Sequence, residues 1–462
     1  MTNFTDGNTL VCGLIGNPVR HTMSPLIHNT LAEETETNLV YVPFEVPEDG
    51  LKYAVRGAYE LGIRGLNVTV PYKSDVISYL KYIDPLAGSI GAVNTLVRDE
   101  AIKGYRGYNT DMTGLYRAMQ EEGIELEGET VVILGAGGVA RPTAHLCINK
   151  GAGKVYILNR TVEKARAIAD EIESDAVIPM DIENYRELLK EDRFFAIQCT
   201  SVGLFPDVNS AVIEDEEFYR HVYAALDVIY KPLETKFLKL AKAAGARTFS
   251  GLKMLLYQGI DAFELWNADR NIKITREQSD RLYKSLIMEV TGCRNIILAG
   301  FMGSGKTVIS ERLSDELSLE LLDTDSAIET AEGRSINSIF EKDGEEAFRD
   351  METKLLEMVV RDHYRDMVIS LGGGTVVRPE NRKLLADAGK VVYLKAEPET
   401  IYERVREDTT RPLLACEDPL GRIKELLEKR REIYESAADI TVVTDGKTPD
   451  EIVKEIIFCL GI

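Results

Sequence analysis

Basic residues are in short supply. The 462-residue chain holds 55 Lys and Arg against 76 Asp and Glu, a formal charge of −21. So acidic a surface repels nucleic acid and anionic membrane, and neither is expected as a partner. An anionic small substrate would need a local basic pocket. Cysteine is sparse too. The six (Cys12, Cys147, Cys199, Cys293, Cys416 and Cys459) are scattered and form no C-x-x-C pair. That argues against a disulfide framework and for reduced thiols. The five histidines show no H-E-x-x-H spacing, so no protein-bound zinc is expected. No apolar run approaches the roughly 20 residues that span a bilayer. The N-terminal residues lack the basic start and apolar stretch of a signal peptide. The expected setting is the cytoplasm.

What is present is a repeated alternation of short β-branched runs and helical patterns. Strand candidates are Leu10–Ile15, Leu39–Phe44, Gly65–Val70, Val131–Leu134, Val155–Leu158, Ala196–Cys199 and Ala225–Ile229. A second series is Ile296–Ala299, Leu319–Leu322, Val368–Leu371, Val391–Leu394 and Ile440–Val443. Apolar runs of this length separated by helices predict an α/β fold built on parallel sheets. Strand–glycine–helix units at Gly135 and Gly300 each predict a nucleotide-binding sheet. A helical stretch near 251–290 separates them. Domain boundaries are expected near 112 and between 290 and 294.

Gly300-Phe301-Met302-Gly303-Ser304-Gly305-Lys306-Thr307 fits G-x-x-x-x-G-K-[ST] between a strand and a helix. Its glycines let backbone N–H groups curl around phosphate oxygens. Lys306 can reach the outer phosphates and Thr307 can hold Mg²⁺. The next strand ends in Asp323-Thr324-Asp325. On an extended segment these two acids point to one side, toward the metal and a substrate hydroxyl. Arg349 and Glu352 follow, then Val368-Ile369-Ser370-Leu371-Gly372-Gly373-Gly374, then Thr410-Arg411-Pro412, then Arg430-Arg431 on a helix.

From about Arg294 to the end, this set closely resembles shikimate kinase. The resemblance implies that Asp325 orients or deprotonates the 3-hydroxyl of shikimate, and that Arg349 and Arg430 clamp its carboxylate. Gly373 and Gly374 would offer backbone contacts. Gly303, Ser304, Gly305, Lys306 and Thr307 would hold ATP, and Asp323 with Thr307 would hold Mg²⁺. Arg411 would close over the transferring phosphoryl group on a lid. Arg430 and Arg431 remain exchangeable in role, and Arg349 also has Glu352 within helical reach.

Earlier in the chain, Val131–Leu134 runs into Gly135-Ala136-Gly137-Gly138-Val139-Ala140, a G-x-G-x-x-A turn suited to pyrophosphate at a helix N-terminus. The next strand ends in Asn159-Arg160-Thr161, with Lys164 one turn on. NAD sites usually carry an acid there; an arginine suits a 2′-phosphate and predicts NADP(H). Ahead of this unit lie Thr22, Ser24, Asn67, Thr69, Lys73, Asn94 and Asp111 in three compact clusters. They supply hydroxyls, amides, one cation and one acid.

Together these clusters resemble shikimate dehydrogenase from about Leu10 to Glu289, including Val228-Ile229-Tyr230 and the segment from Gly251 to Gln258. The resemblance implies that Thr22 and Ser24 bind the substrate carboxylate. Asn67, Thr69, Asn94 and Gln258 would bind ring hydroxyls, with Tyr230 also on the substrate and Gly251 beside the cofactor. Lys73 and Asp111 would be the catalytic pair. Two positions depart from the family pattern. Thr22 stands where Ser is commoner, which leaves quinate open as a substrate, and Met112 stands where glycine is frequent.

The combined expectation is a bifunctional enzyme. A substrate domain spans 1–112 and is completed by helices in 251–290. A Rossmann domain spans 113–250, and a P-loop kinase domain with a parallel sheet spans 294–462. The first part would reduce 3-dehydroshikimate with NADPH; the second would phosphorylate shikimate with Mg-ATP. A nucleotide-binding half without turnover is the alternative from another class. Self-association into a homo-oligomer is left open.

Overall fold

The computed structural model describes residues 5–20, 22–406 and 418–462. The chain divides into two compact units, Met1–Leu286 and Ile287–Ile462.

The first unit holds two sheets. The N-terminal sheet comprises β1 (Leu10–Gly16), β2 (Leu39–Glu45), β3 (Gly65–Val68), β4 (Tyr82–Ile83), β5 (Thr95–Asp99) and β6 (Gly104–Tyr108), in the order β2-β1-β3-β5-β6-β4. It is mixed rather than parallel as expected. β5 runs antiparallel to both β3 and β6. The cause is local: the turn between β5 and β6 is too short for a crossover, so a hairpin is the only connection available. Sequence reading missed this hairpin because Gly104-Tyr105-Arg106-Gly107-Tyr108 is glycine-rich and half polar, which weakens the strand signal.

The second sheet is wholly parallel: β7 (Thr130–Leu134), β8 (Lys154–Asn159), β9 (Val177–Asp181), β10 (Phe194–Gln198), β11 (Val222–Asp227) and β12 (Arg247–Ser250). Its order, β12-β11-β10-β7-β8-β9, reverses direction between β7 and β10. That reversal opens a crevice at the strand C-termini, where doubly wound sheets bind dinucleotides. Val131 to Leu134 and all of β10 are buried, as strands covered on both faces require.

The helix Leu252–Trp266 returns to pack on the helix Thr110–Glu121. The two approach so closely at Gly114 that a Cβ there would sit 2.4 Å from the Gln258 amide nitrogen. Trp266, fully buried, donates its indole N–H to the Leu96 carbonyl at 2.9 Å. This ties the returning helix to the first sheet.

The second unit is one parallel sheet of β13 (Asn295–Ala299), β14 (Glu320–Asp323), β15 (Met367–Ser370), β16 (Lys390–Lys395) and β17 (Ile440–Val443), ordered β14-β15-β13-β16-β17. The phosphate loop follows its central strand.

Candidate active sites

In the first unit a cavity of about 330 Å³ gathers Thr22, Ser24, Asn67, Thr69, Lys73, Asn94, Asp111, Tyr230 and Gln258, every substrate residue expected from the sequence. Each is held in its own way. Thr22 donates its hydroxyl to Ser24 Oγ at 3.1 Å, where Ser24 opens the helix Ser24–Glu34. Lys73 Nζ lies 2.8 Å from Asp111 Oδ2, and the Lys73 carbonyl is fixed by the Val93 amide. Asn109, not Asp111, caps the helix Thr110–Glu121 by accepting from the Met112 amide at 3.2 Å. Asp111 thus keeps its carboxylate on the lysine. Met112 turns inward and packs in the core with Leu115 and Met119, which accounts for an apolar residue there. Tyr230 follows β11, whose last residue Asp227 anchors the loop by accepting from the Ile229 amide, Gln198 and Thr235. Burial pushes Asp227 up to about 6.

Asn67 is the best-supported side chain of this pocket. Its amide nitrogen donates to Thr95 Oγ1 and to the Asn94 carbonyl, so its oxygen must face the other way. There it accepts from the Tyr41 hydroxyl at 2.8 Å and from His28 Nε2 at 3.1 Å. Burial pushes His28 down to about 3, so the ring is neutral and carries its proton on Nε2.

At the dinucleotide crevice, Gly135 leaves β7 with φ +108°, and a Cβ would sit 2.7 Å from Thr200 Cγ2. Ala136 follows it. A Cβ added at Gly137 or Gly138 would meet no atom within 4 Å, so the face before Val139 and Ala140 is open to a ligand. The helix Ala140–Asn149 starts there without a side-chain cap, its Ala140 and Arg141 amides turned back onto the Gly137 carbonyl at 3.1 and 3.4 Å. Asn159 closes β8 and donates to the Thr161 carbonyl. Arg160, Thr161 and Lys164 lie beside it, and among the described residues neither cation has an ion-pair partner. Gly251 packs against the Val228 carbonyl, again with no room for a side chain.

In the second unit a cavity of about 560 Å³ is walled by Gly303, Ser304, Gly305, Lys306 and Thr307 together with Asp323, Asp325 and Gly373. Lys306 Nζ rests on the Gly300 carbonyl at 2.8 Å. The two acids differ from expectation in one respect. They are not on an extended segment: Asp323 ends β14 and caps the helix Thr324–Glu332 through the Ser326 amide at 2.9 Å, and Asp325 lies in the first helical turn. Both still face the cavity. Asp325 is pushed up to about 6 by burial, with Asp323 and Glu352 adding to it, and its Oδ1 has no hydrogen-bond partner among the described residues.

Arg349, Gly374 and Arg430 do not line that cavity; they cluster at the glycine loop beside it. The Arg349 guanidinium lies against Gly374, Nη1 on Glu352 at 2.7 Å and Nη2 on Glu345 at 3.0 Å. Arg430 Nη1 reaches the Gly373 carbonyl at 3.4 Å, while Arg431 turns to Glu428 at 3.2 Å. Of the two, Arg430 therefore faces the glycine loop. Arg411 lies outside the described residues.

Three family models match the chain: the shikimate dehydrogenase substrate binding domain over residues 14–96, shikimate / quinate 5-dehydrogenase over 117–204, and shikimate kinase over 302–460. Shikimate dehydrogenase (NADP(+)) of Caldanaerobacter subterraneus is 39% identical over 57% of this chain and 94% of its own. The enzyme of the same name from Methanocaldococcus jannaschii is 40% identical over 59% and 96%. Among solved structures, shikimate 5-dehydrogenase of Listeria monocytogenes in complex with shikimate and NAD aligns at TM-score 0.57. It is 32% identical, over 62% of this chain and 99% of that one. The chain belongs to the shikimate dehydrogenase family and continues into a shikimate kinase domain.

Sequence reading missed two supports of these sites. Under the dehydrogenase pocket, Tyr41 and His28 fix Asn67. His28 is one turn from Ser24 on the same helix face, a signal that only burial makes meaningful. In the kinase domain, Arg404 donates to the carbonyls of Gly303 and Ser304 and to Thr444, strapping the helix Pro398–Val405 across the phosphate loop. In sequence it is one more charge on a charged helix. The residues present fit the expected cofactors. The uncrowded glycine turn at Gly137 and Gly138, with Arg160 and Lys164 after the next strand, suits NADP(H). The glycine loop with Lys306 suits ATP, and the hydroxyl of Thr307 with the carboxylate of Asp323 suits Mg²⁺, which prefers oxygen donors.

Proposed function

We propose that Lys73 and Asp111 reduce 3-dehydroshikimate to shikimate, and that Asp325 prepares the 3-hydroxyl of shikimate for phosphorylation in the same chain. The observation that carries this is the Lys73–Asp111 pair, 2.8 Å apart, within one cavity that also gathers Thr22, Ser24, Asn67, Thr69, Asn94, Tyr230 and Gln258. NADPH bound at Gly135–Ala140 with Arg160 and Lys164 supplies the hydride, and Mg-ATP at Gly303–Thr307 supplies the phosphoryl group. Lys73 gives its proton to the ring-ketone oxygen as the carbon is reduced, and Asp111 holds the ammonium in place for that transfer. Thr22 and Ser24 orient the carboxylate; Asn67, Thr69, Asn94, Gln258 and Tyr230 orient the ring. Asp325 accepts the proton of the 3-hydroxyl, and Arg349 and Arg430 hold the acid group beside Gly373 and Gly374.

The domain limits that go with this reading are 1–112 with 251–290, 113–250 and 294–462. No helix among the described residues is long and apolar enough to cross a membrane, and a cytoplasmic setting suits the five cysteines that stand without a disulfide among the described residues. The test is direct: 3-dehydroshikimate, NADPH and Mg-ATP are supplied to folded protein, and shikimate 3-phosphate is expected. Its absence would sink the assignment. Rate constants for shikimate and quinate with NADP⁺ and NAD⁺ then decide the dehydrogenase's preference, with shikimate and NADP⁺ expected to lead.

A further inference from the structure

The Arg349 fork is occupied on both prongs by glutamates of its own helix, Glu345–Arg361. The two glutamates are not equivalent. The Glu352 side chain is 0% exposed, and its second oxygen accepts from the Thr375 hydroxyl. Pulling Arg349 away would leave a buried carboxylate with its cation gone, which is strongly unfavourable. The Glu345 side chain is 64% exposed. Water can replace its contact at once, and its place in the first helical turn keeps a negative charge favourable after release.

We propose that Glu345 stands in for the substrate's carboxylate on Arg349, and that displacing it sets the affinity of the kinase domain for shikimate. The proposal rests on Arg349 as the carboxylate clamp. An incoming carboxylate takes the Nη2 prong from Glu345 and leaves Glu352 in place. The exchange is anion for anion, so the substrate never meets an uncompensated cation. Selection then comes from what the rest of the ring contacts, and a simple carboxylate gains little.

The experiment measures KM for shikimate at saturating Mg-ATP in the full chain, for wild type, Glu345→Gln and Arg349→Lys. It is repeated with the methyl ester of shikimate, which has no anion. Glu345→Gln is expected to lower KM for shikimate by about two- to fivefold, the range for losing one exposed competing pair, with no gain for the ester. It should also make acetate a stronger inhibitor of the kinase reaction. A KM for shikimate that is unchanged or higher would overturn the proposal, because Glu345 would then be idle or a support of Arg349. An equal gain for the ester would overturn it too. Arg349→Lys separates this from the parent reading: if it leaves KM for shikimate unchanged, Arg349 is not the clamp and both ideas fall.

Discussion

In the proposed reduction Lys73 and Asp111 share one job, and their removal should have separable consequences. Lys73→Gln deletes the proton donor and Asp111→Asn deletes the charge that holds it. Each is expected to cut dehydrogenase kcat by about 10²–10⁴ while the kinase rate of the same chain is unchanged; NADPH oxidation and ADP release read the two. Asp325 carries a different prediction. Burial raises it from 3.8 to about 6, so it is an effective base only above that pH. Kinase kcat/KM should fall as pH drops through about 6. The stability sign is opposite. The folded state holds this proton more tightly than the unfolded state between about pH 4 and 6, so ionising it costs stability as pH rises through that window. Asp325→Asn is therefore expected to abolish the kinase yet to unfold at higher urea than wild type above pH 6, followed by circular dichroism. A lower midpoint would mean that the carboxylate is structurally needed. These site residues are legible in sequence because each sits in a short motif. Tyr41, His28 and Arg404 sit in none, and only burial and distance give them a role.

Elements differ in how plainly they announce themselves. β7, β10 and β13 are buried on both faces and read as unbroken apolar runs. β9 and β12 lie at sheet edges and mix polar with apolar residues, so no period of two or run of four marks them. The start of the helix Thr324–Glu332 reads as strand in the sequence because Asp323 serves both as the strand's last residue and as the cap, and the cap preference of Asp is outweighed by the run before it. The pairing of the helices Thr110–Glu121 and Leu252–Trp266 is invisible in sequence, since nothing there says that Gly114 meets Gln258. It has a consequence. Each helix carries pocket residues, Asp111 on one and Gln258 on the other. Gly114→Ala puts a methyl 2.4 Å from the Gln258 nitrogen and must push the helices apart. A loss of about 1–3 kcal/mol is expected, read by fluorescence of Trp266, the sole tryptophan. Dehydrogenase KM should rise while kinase KM stays. An unchanged unfolding midpoint would show that the contact gives way freely.

At the scale of the whole molecule, two sites for consecutive steps lie on one chain, and the walls of each cavity come from its own unit. Fusion raises the local concentration of shikimate only for as long as a small acid takes to diffuse away. Each half is therefore expected to work on shikimate from solution. A mixture of Lys73→Gln chains and Lys306→Ala chains makes this measurable, since each retains one intact half. Given 3-dehydroshikimate, NADPH and Mg-ATP, the mixture should make shikimate 3-phosphate with the same lag and the same final rate as wild type at equal concentration of working sites. Tenfold dilution should lengthen both lags alike, because free shikimate must first build up toward the kinase KM. A wild type that forms product without a lag, or that ignores added unlabelled shikimate when fed labelled 3-dehydroshikimate, would show direct transfer between the halves and refute independence.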